Sequence, residues 1–208
     1  KVSIEVLLAE LDLEEKDRDV LSKIIEQIRN MELLIKNLLN YARPVAAQMA
    51  KVDVNSILGN TVYFIEKHPS FSAGGSRKRI IKELDAGLPE TVGDPQQLQQ
   101  VFLNLFLNAA DAIPEGGAIT VRTTYERIKN AIVVELKDTG KGIPRELRER
   151  IFQPFFTTKR KGTGLGLAVS KRLVEDNGGT ITVTDNDAGG ATFHIMLPVS
   201  GGTEGMPT

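Results

Sequence analysis

The sequence predicts an α+β chain in which an α-helical hairpin precedes a two-layer α/β sandwich: one mixed, mostly antiparallel sheet with three helices on one face. Three observations carry that prediction. Apolar residues recur at heptad spacing between residues 17 and 42. Beyond residue 44, segments of period-two alternation come in pairs joined by short polar turns. Among them lie three helical patterns, near residues 56, 95 and 164.

The hairpin comes first. Residues 1 to about 13 carry Val2, Ile4, Val6, Leu7, Leu8 and Leu11 and read as the end of an amphipathic helix. A second helix is expected over 17–42, with Leu21, Ile24, Ile28, Met31, Ile35 and Leu38 at the alternating spacing of a coiled coil. Ile25, Leu34 and Leu39 widen that stripe toward a four-helix bundle. Two helices cannot enclose it, so a homodimer through the hairpin is expected, the alternative being a face packed within the chain. Arg43-Pro44 ends the helix, because the residue before proline avoids the helical region. The predicted domains are therefore 1–43, 44–200 and a disordered tail at 201–208.

In the second domain a short strand is expected at 51–55, a helix at 56–67 and a surface loop over Ser70 to Ser76. Strands follow at 79–85 and near Thr91-Val92. Asp94, Pro95 and Gln97 read as N-cap, N1 and N3 of a helix with a capping-box-like start. Its body is strongly apolar, yet Gln97, Gln100, Asn104, Asn108 and Asp111 recur on one face. A buried amide without a partner costs about 1–3 kcal/mol. Asn104 and Asn108 thus need partners, supplied by a ligand and its metal or by an internal amide network. Strands at 118–125 and 131–138, a short helix at 144–150, a polar flap at 152–163, a helix at 164–177 and strands at 180–185 and 191–197 complete the domain. Asn177-Gly178-Gly179 should end the last helix.

Composition bounds the function. The chain has 208 residues, 41% hydrophobic and 25% charged, as in ordinary globular domains. A net charge of −1 argues against a nucleic-acid binder. The lack of cysteine excludes disulfides and thiolate chemistry. No apolar run approaches the ~18 residues of a membrane span, and no signal peptide is visible. The chain opens at Lys1, already in a helical pattern, so a piece of a longer protein is expected.

The chemistry concentrates between Asp138 and Leu167. Asp138-Thr139-Gly140-Lys141-Gly142-Ile143 follows an apolar strand, which puts the Asp138 carboxylate at the mouth of a sheet. There it can accept hydrogen bonds from an amino group such as that of adenine. Gly162-Thr163-Gly164-Leu165-Gly166-Leu167 opens a helix behind the basic Lys159-Arg160-Lys161. Glycines admit close backbone approach, and bared amides at a helix start attract phosphate. Together they predict a purine nucleotide between the two clusters. Each cluster alone reads equally as a turn. No Walker P-loop string occurs, and the second cluster follows a polar loop rather than the strand that a Rossmann fingerprint needs.

Four strings in order resemble the N, G1, F and G2 boxes of sensor histidine kinases: Asn104-Leu105-Phe106-Leu107-Asn108-Ala109, Asp138 to Gly142, Phe152-Gln153-Pro154-Phe155-Phe156-Thr157-Thr158-Lys159, and Gly162 to Leu167. The resemblance covers residues 44 to about 198, and residues 1–43 resemble the family's dimerisation and phosphotransfer hairpin. It implies ATP and Mg²⁺ as cofactors. Asp138 would accept the adenine amino group, with Gly140, Gly142 and Ile143 beside the base and Thr192 near it. Asn108 would ligate Mg²⁺, with Asn104 near the phosphates or the metal's waters as the catalytic amide and Asp111 close by. Phe155, Thr157, Thr158 and Lys159 would form a short lid. Gly162, Thr163, Gly164, Leu165, Gly166 and Leu167 would cradle phosphates. The resemblance also implies a response regulator as partner and a cytoplasmic location, as a cytoplasmic part of a membrane-bound sensor among other forms, with no membrane contact by this piece.

The sequence departs from the family at the phosphoacceptor. The family's His-Glu-x-x-Asn/His-Pro box does not occur, and the two histidines, His68 and His194, sit in a helix-end turn and a closing strand. The chain alone is thus expected not to autophosphorylate and to lack the phosphatase activity tied to that box. Related ATPases carry glutamate at the position of Asn104, and an amide cannot take a proton from water in that way. ATP should therefore be bound and hydrolysed slowly. Two other readings stay open: a hydrolytic ATPase of the wider superfamily, and a non-catalytic nucleotide-binding dimerisation module.

Overall fold

Alternating apolar and polar residues make one-sided strands, and the C-terminal domain is built on them. The computed structural model describes residues 47–68, 71, 78–159 and 162–199, with Asp17, Val20, Leu21, Ile24 and Ile28 nearer the N-terminus. Those five are helical; the rest of the predicted hairpin, most of the loop at 70–76 and the tail lie outside the described residues. The chain divides into two units, Lys1–Pro44 and Val45–Thr208.

The second unit runs β1 (Ala50–Val52), α1 (Val54–Glu66), β2 (Arg79–Glu83), β3 (Thr91–Gly93), α2 (Pro95–Ala112), β4 (Ala118–Glu126), β5 (Ala131–Asp138), α3 (Gly166–Asp176), β6 (Thr180–Asp185) and β7 (Ala191–Pro198). A five-stranded sheet has the order β2-β4-β5-β7-β6, and β1 pairs with β3 apart from it. Only the β2–β4 pairing in the large sheet is parallel; the other three are antiparallel. The sheet is thus mixed and mostly antiparallel, as its short connections require.

One face of the sheet is buried. Ile119 and Val121 on β4, Ile132, Val134 and Leu136 on β5, and Ile195 and Leu197 on β7 alternate with exposed or half-buried neighbours. The helices cover that face. Between α1 and α3, α2 packs on β4 and β5 through Leu98, Val101, Phe102, Leu105 and Phe106. Each such side chain stabilises the fold by about 1.5–3 kcal/mol on burial.

The helix starts follow local chemistry. Asp53 caps α1 through the N–H of Ser56, at 3.2 Å. Asp94 caps α2, accepting from the N–H groups of Gln96 and Gln97 at 2.9 and 3.1 Å, with Pro95 in the first turn. The reciprocal half of the expected capping box is absent here. Gln97 bonds instead to Asn177 Nδ2 at 2.9 Å, and Asn177 Oδ1 accepts the Asp94 N–H at 2.7 Å. A side chain at the end of α3 thus satisfies the donor that Gln97 was expected to satisfy. Asn177 also donates to the Leu173 carbonyl at 2.7 Å, and Gly178 follows at φ +71° to end α3. The helix expected at 144–150 is two single 3₁₀ turns, Arg145–Leu147 and Arg150–Phe152.

Candidate functional site

Two corners of this unit hold the predicted site residues, and α2 joins them. At the first corner Asp138 closes β5, only 2% exposed. Its Oδ1 accepts the N–H of Gly140 at 2.8 Å and of Ala191 at 3.3 Å. Burial raises its pKa above the ordinary carboxylate value, and these two bonds offset part of that rise. Among the described residues nothing donates to its Oδ2. That oxygen can accept a further hydrogen bond.

Backbone is packed around this carboxylate at very short range. A Cβ at Gly190 would lie 2.0 Å from the Asp138 carbonyl oxygen, so only glycine fits there. Gly140 lies against the Ala112 carbonyl and Gly142 against that of Gly189. Half-buried Ile143 offers its carbonyl to Arg148 Nε at 3.3 Å, and Arg148 pairs with Asp185. Thr192 is buried one strand away. Asn186 ties the group together: its Nδ2 donates to the carbonyls of Asp138 at 2.9 Å and Ala191 at 3.0 Å.

The second corner lies along α2. Asn104 Nδ2 donates to Ser170 Oγ at 2.8 Å, and a Cβ at Gly166 would come within 2.6 Å of Asn104 Oδ1. The start of α3 is therefore laid directly on Asn104. One turn on, Asn108 Oδ1 accepts from Lys159 Nζ at 2.9 Å, and the same ammonium reaches Asp111 Oδ2 at 2.8 Å. The partners that Asn104 and Asn108 need are thus protein groups, a hydroxyl and an ammonium. Asn104 to Ala112 spans about 12 Å of helix. Over that length α2 meets the α3 start, the lid lysine and the Gly140 loop in turn. All three sequence clusters therefore meet one helix face.

The lid itself is mostly exposed. Phe155 is 66% exposed at φ +65°, an unusual backbone for a bulky residue. Gly164, at φ +68°, lies against its backbone: a Cβ there would fall 2.4 Å from the Phe155 carbonyl carbon. Thr157 Oγ1 accepts the Lys159 N–H at 3.1 Å and crowds Gly162, while Thr158 points outward. Thr163 Oγ1 accepts the N–H of buried Leu165 at 3.3 Å. Half-buried Leu167 follows Gly166 in the first turn of α3, which has no side-chain cap. Its first N–H groups suit an anion.

Ser170, Asn186, Asn177 and Arg148 were not legible as contributors. Ser170 had a signal, since it follows Gly166 by one helical turn and so shares its face. Asn186 had no such signal, since its bond to Asp138 crosses 48 residues and leaves no local trace.

Comparison with known proteins gives the family. Residues 93–201 match the model of the histidine kinase-, DNA gyrase B- and HSP90-like ATPases. The chain is 37% identical over 185 residues to the signal transduction histidine-protein kinase AtoS of Escherichia coli (strain K12), covering 88% of this chain and 29% of AtoS. It is 31% identical over 205 residues to the sensory histidine kinase/phosphatase NtrB of Rhodobacter capsulatus, covering 93% of this chain and 56% of NtrB. The chain thus spans only part of these relatives. Its fold is similar to that of full-length ShkA in complex with AMPPNP, with a TM-score of 0.78 and 26% identity over 92% of this chain and 41% of that one. The catalytic domain of histidine kinase ThkA aligns with a TM-score of 0.62 and 31% identity over 73% of this chain and 95% of that domain. The chain belongs to the histidine kinase-, DNA gyrase B- and HSP90-like ATPases, and within them to the sensor histidine kinases of two-component signal transduction.

Proposed function

We propose that this chain is the ATP-binding kinase core of its sensor, passing the γ-phosphate of ATP to a histidine outside these 208 residues for relay to a response-regulator aspartate. The observation that carries this reading is the polar face of α2, where Asn104 lies on the α3 start and Asn108 and Asp111 face a cation. Asp138 Oδ2 accepts the adenine amino group, and the Gly140–Gly142 backbone lies along the base with Thr192 behind it. The Gly162–Leu167 segment presents the bared amides of α3 to the phosphates. The lid, with Phe155, Thr157, Thr158 and Lys159, excludes water from them.

The α2 face also fits a divalent cation. Asn108 Oδ1 and Asp111 Oδ2 already converge on one positive group, Lys159 Nζ. One or two protein oxygens, completed by phosphate oxygens, is the usual Mg²⁺ arrangement in phosphoryl-transfer sites. Asn108 would hold the ion, with Asp111 beside it, and Mg²⁺ would supply neutralisation of the phosphate charge. Asn104, held by its Nδ2 bond to Ser170, orients the polyphosphate, and as a non-basic amide it takes up no proton. Water is therefore not activated there as a glutamate would activate it, which separates this chain from the hydrolytic branch. Transfer then rests on positioning and charge neutralisation.

Neither histidine suits the acceptor role. His194 on β7 is held between Glu135 Oε1 at 3.1 Å and Thr184 Oγ1 at 2.9 Å. His68 lies in the turn after α1, its N–H on the Ile65 carbonyl. The assembly we propose is a homodimer through the N-terminal hairpin, in the cytoplasm, with no nucleic-acid partner. No helix among the described residues is long and apolar enough to cross a membrane.

The test follows the γ-phosphate of labelled Mg-ATP. The chain alone should release little free phosphate and should not label itself. A separate hairpin carrying the acceptor histidine should then take up acid-labile label. Rapid phosphate release by the chain alone would move it to the hydrolytic branch. Replacing Asn108 with alanine should abolish the Mg²⁺ dependence of ATP binding in a titration with and without chelator.

A further inference from the structure

Among the described residues of the lid, Lys159 has its charge held at long range. Its ammonium contacts two acceptors, Asn108 Oδ1 at 2.9 Å and Asp111 Oδ2 at 2.8 Å. These stand at i and i+3 on α2, one side of one turn. The base of the side chain is held too. The Lys159 N–H donates to Thr157 Oγ1 at 3.1 Å, and its carbonyl accepts from Gly162 at 3.2 Å. An exposed ion pair alone would carry little meaning, since such pairs contribute under about 1 kcal/mol. Here the ammonium sits on the same oxygens that a divalent cation would use. Two cations cannot share them, because the charges repel and Mg²⁺ draws its ligands to about 2.1 Å, well inside an ammonium's reach.

We infer that Lys159 is an internal substitute cation. It neutralises the Asn108–Asp111 site and pins the lid to α2 while no divalent ion is bound, and it leaves when Mg-ATP arrives. The inference rests on the metal assignment made above. A compact, flexible ammonium suits this exchange better than a planar guanidinium, which would fix two oxygens in one orientation. The lid is then released by the metal, at the moment the phosphates need covering. In ATP bound without metal, the ammonium stays and partly screens the phosphates.

Two measurements test this on the full chain. In protein free of nucleotide, backbone amide exchange over 155–164 should quicken about two- to fivefold in both Lys159→Met and Asp111→Asn. The double variant should be no faster than either single one, because both remove the same contact. Unchanged exchange in Lys159→Met would overturn the inference. The second measurement compares ATP affinity with and without Mg²⁺. Lys159→Met should weaken metal-free binding more, widening the ratio about three- to tenfold, and Lys159→Arg should restore part of it. A lysine that merely touches phosphate would weaken both states equally and leave the ratio unchanged, which would also overturn the inference. Failure of the wild-type chain to bind ATP at all would sink the proposed function, and the exchange measurement would still decide whether Lys159 pins the lid.

Discussion

The two corners of the site are built in opposite ways. Around Asp138 buried side chains bond to backbone, and the backbones themselves lie close enough that one methyl group would not fit at Gly190. Around Asn108 and Asp111 they are side chain to side chain, half exposed, and made by groups that can rotate apart. Under the proposed function the close-packed corner would receive the base, which has one fixed shape, and the corner of exchangeable pairs would receive the metal and polyphosphate, which come and go.

The sharpest way to break that contrast is Gly190→Ala. The added carbon would meet the Asp138 carbonyl, and β7 would have to move away from β5. A stability loss of about 2–4 kcal/mol is expected in urea unfolding, with nucleotide binding lost as well. A loss below about 0.5 kcal/mol would mean that the corner is soft.

Next comes Asp138→Asn, which should separate stability from function. ATP affinity should fall at least about 100-fold by calorimetry, since the charged acceptor is gone. The fold itself should gain stability. Burial raises the folded pKa of Asp138 above its unfolded value, so ionising it costs the folded chain more than the unfolded one. That loss is absent below the unfolded value, grows as pH rises toward the folded value, and is complete above it. The variant's gain in melting temperature should therefore be full near about pH 7 and vanish in acid. A gain that persists in acid would show another cause.

The smallest effect is expected from Asp111→Asn at the open corner. Both partners of its ion pair are about half exposed, so stability should change by under about 1 kcal/mol and less in high salt. A larger, salt-independent loss would show that this corner is as rigid as the other.

The same contrast explains what could be read in advance. Local rules placed Asp94 at the start of α2, β5 over residues 131–138 and the glycine end of α3, because caps, period-two strands and C-terminal glycines act over a few residues. The site residues were named from their strings. Their partners were not. Lys159 on Asp111 crosses 48 residues, and Asn104 on Ser170 crosses 66. Gln97 shows the limit most clearly, since a correct N3 position led to the wrong partner, and the Asp94 N–H was satisfied from α3 instead. The parallel β2–β4 pairing had no local signal either, because pairing direction is set by the path of the chain between strands.

Asn177 has a mechanical consequence. It fastens the start of α2 to the end of α3 with two hydrogen bonds, to the Asp94 N–H and to Gln97 Oε1, and anchors itself on the Leu173 carbonyl of its own helix. The opposite end is where Gly166 meets Asn104. A relative tilt of the two helices would therefore pivot at Asn177 and be felt most where Gly166 meets Asn104. A tilt of about 5° at the fulcrum would move Gly166, about 16 Å away, by about 1.4 Å and Ser170, about 10 Å away, by about 0.9 Å, enough to stretch the Asn104–Ser170 bond beyond hydrogen-bond range while the bonds at Asn177 survive.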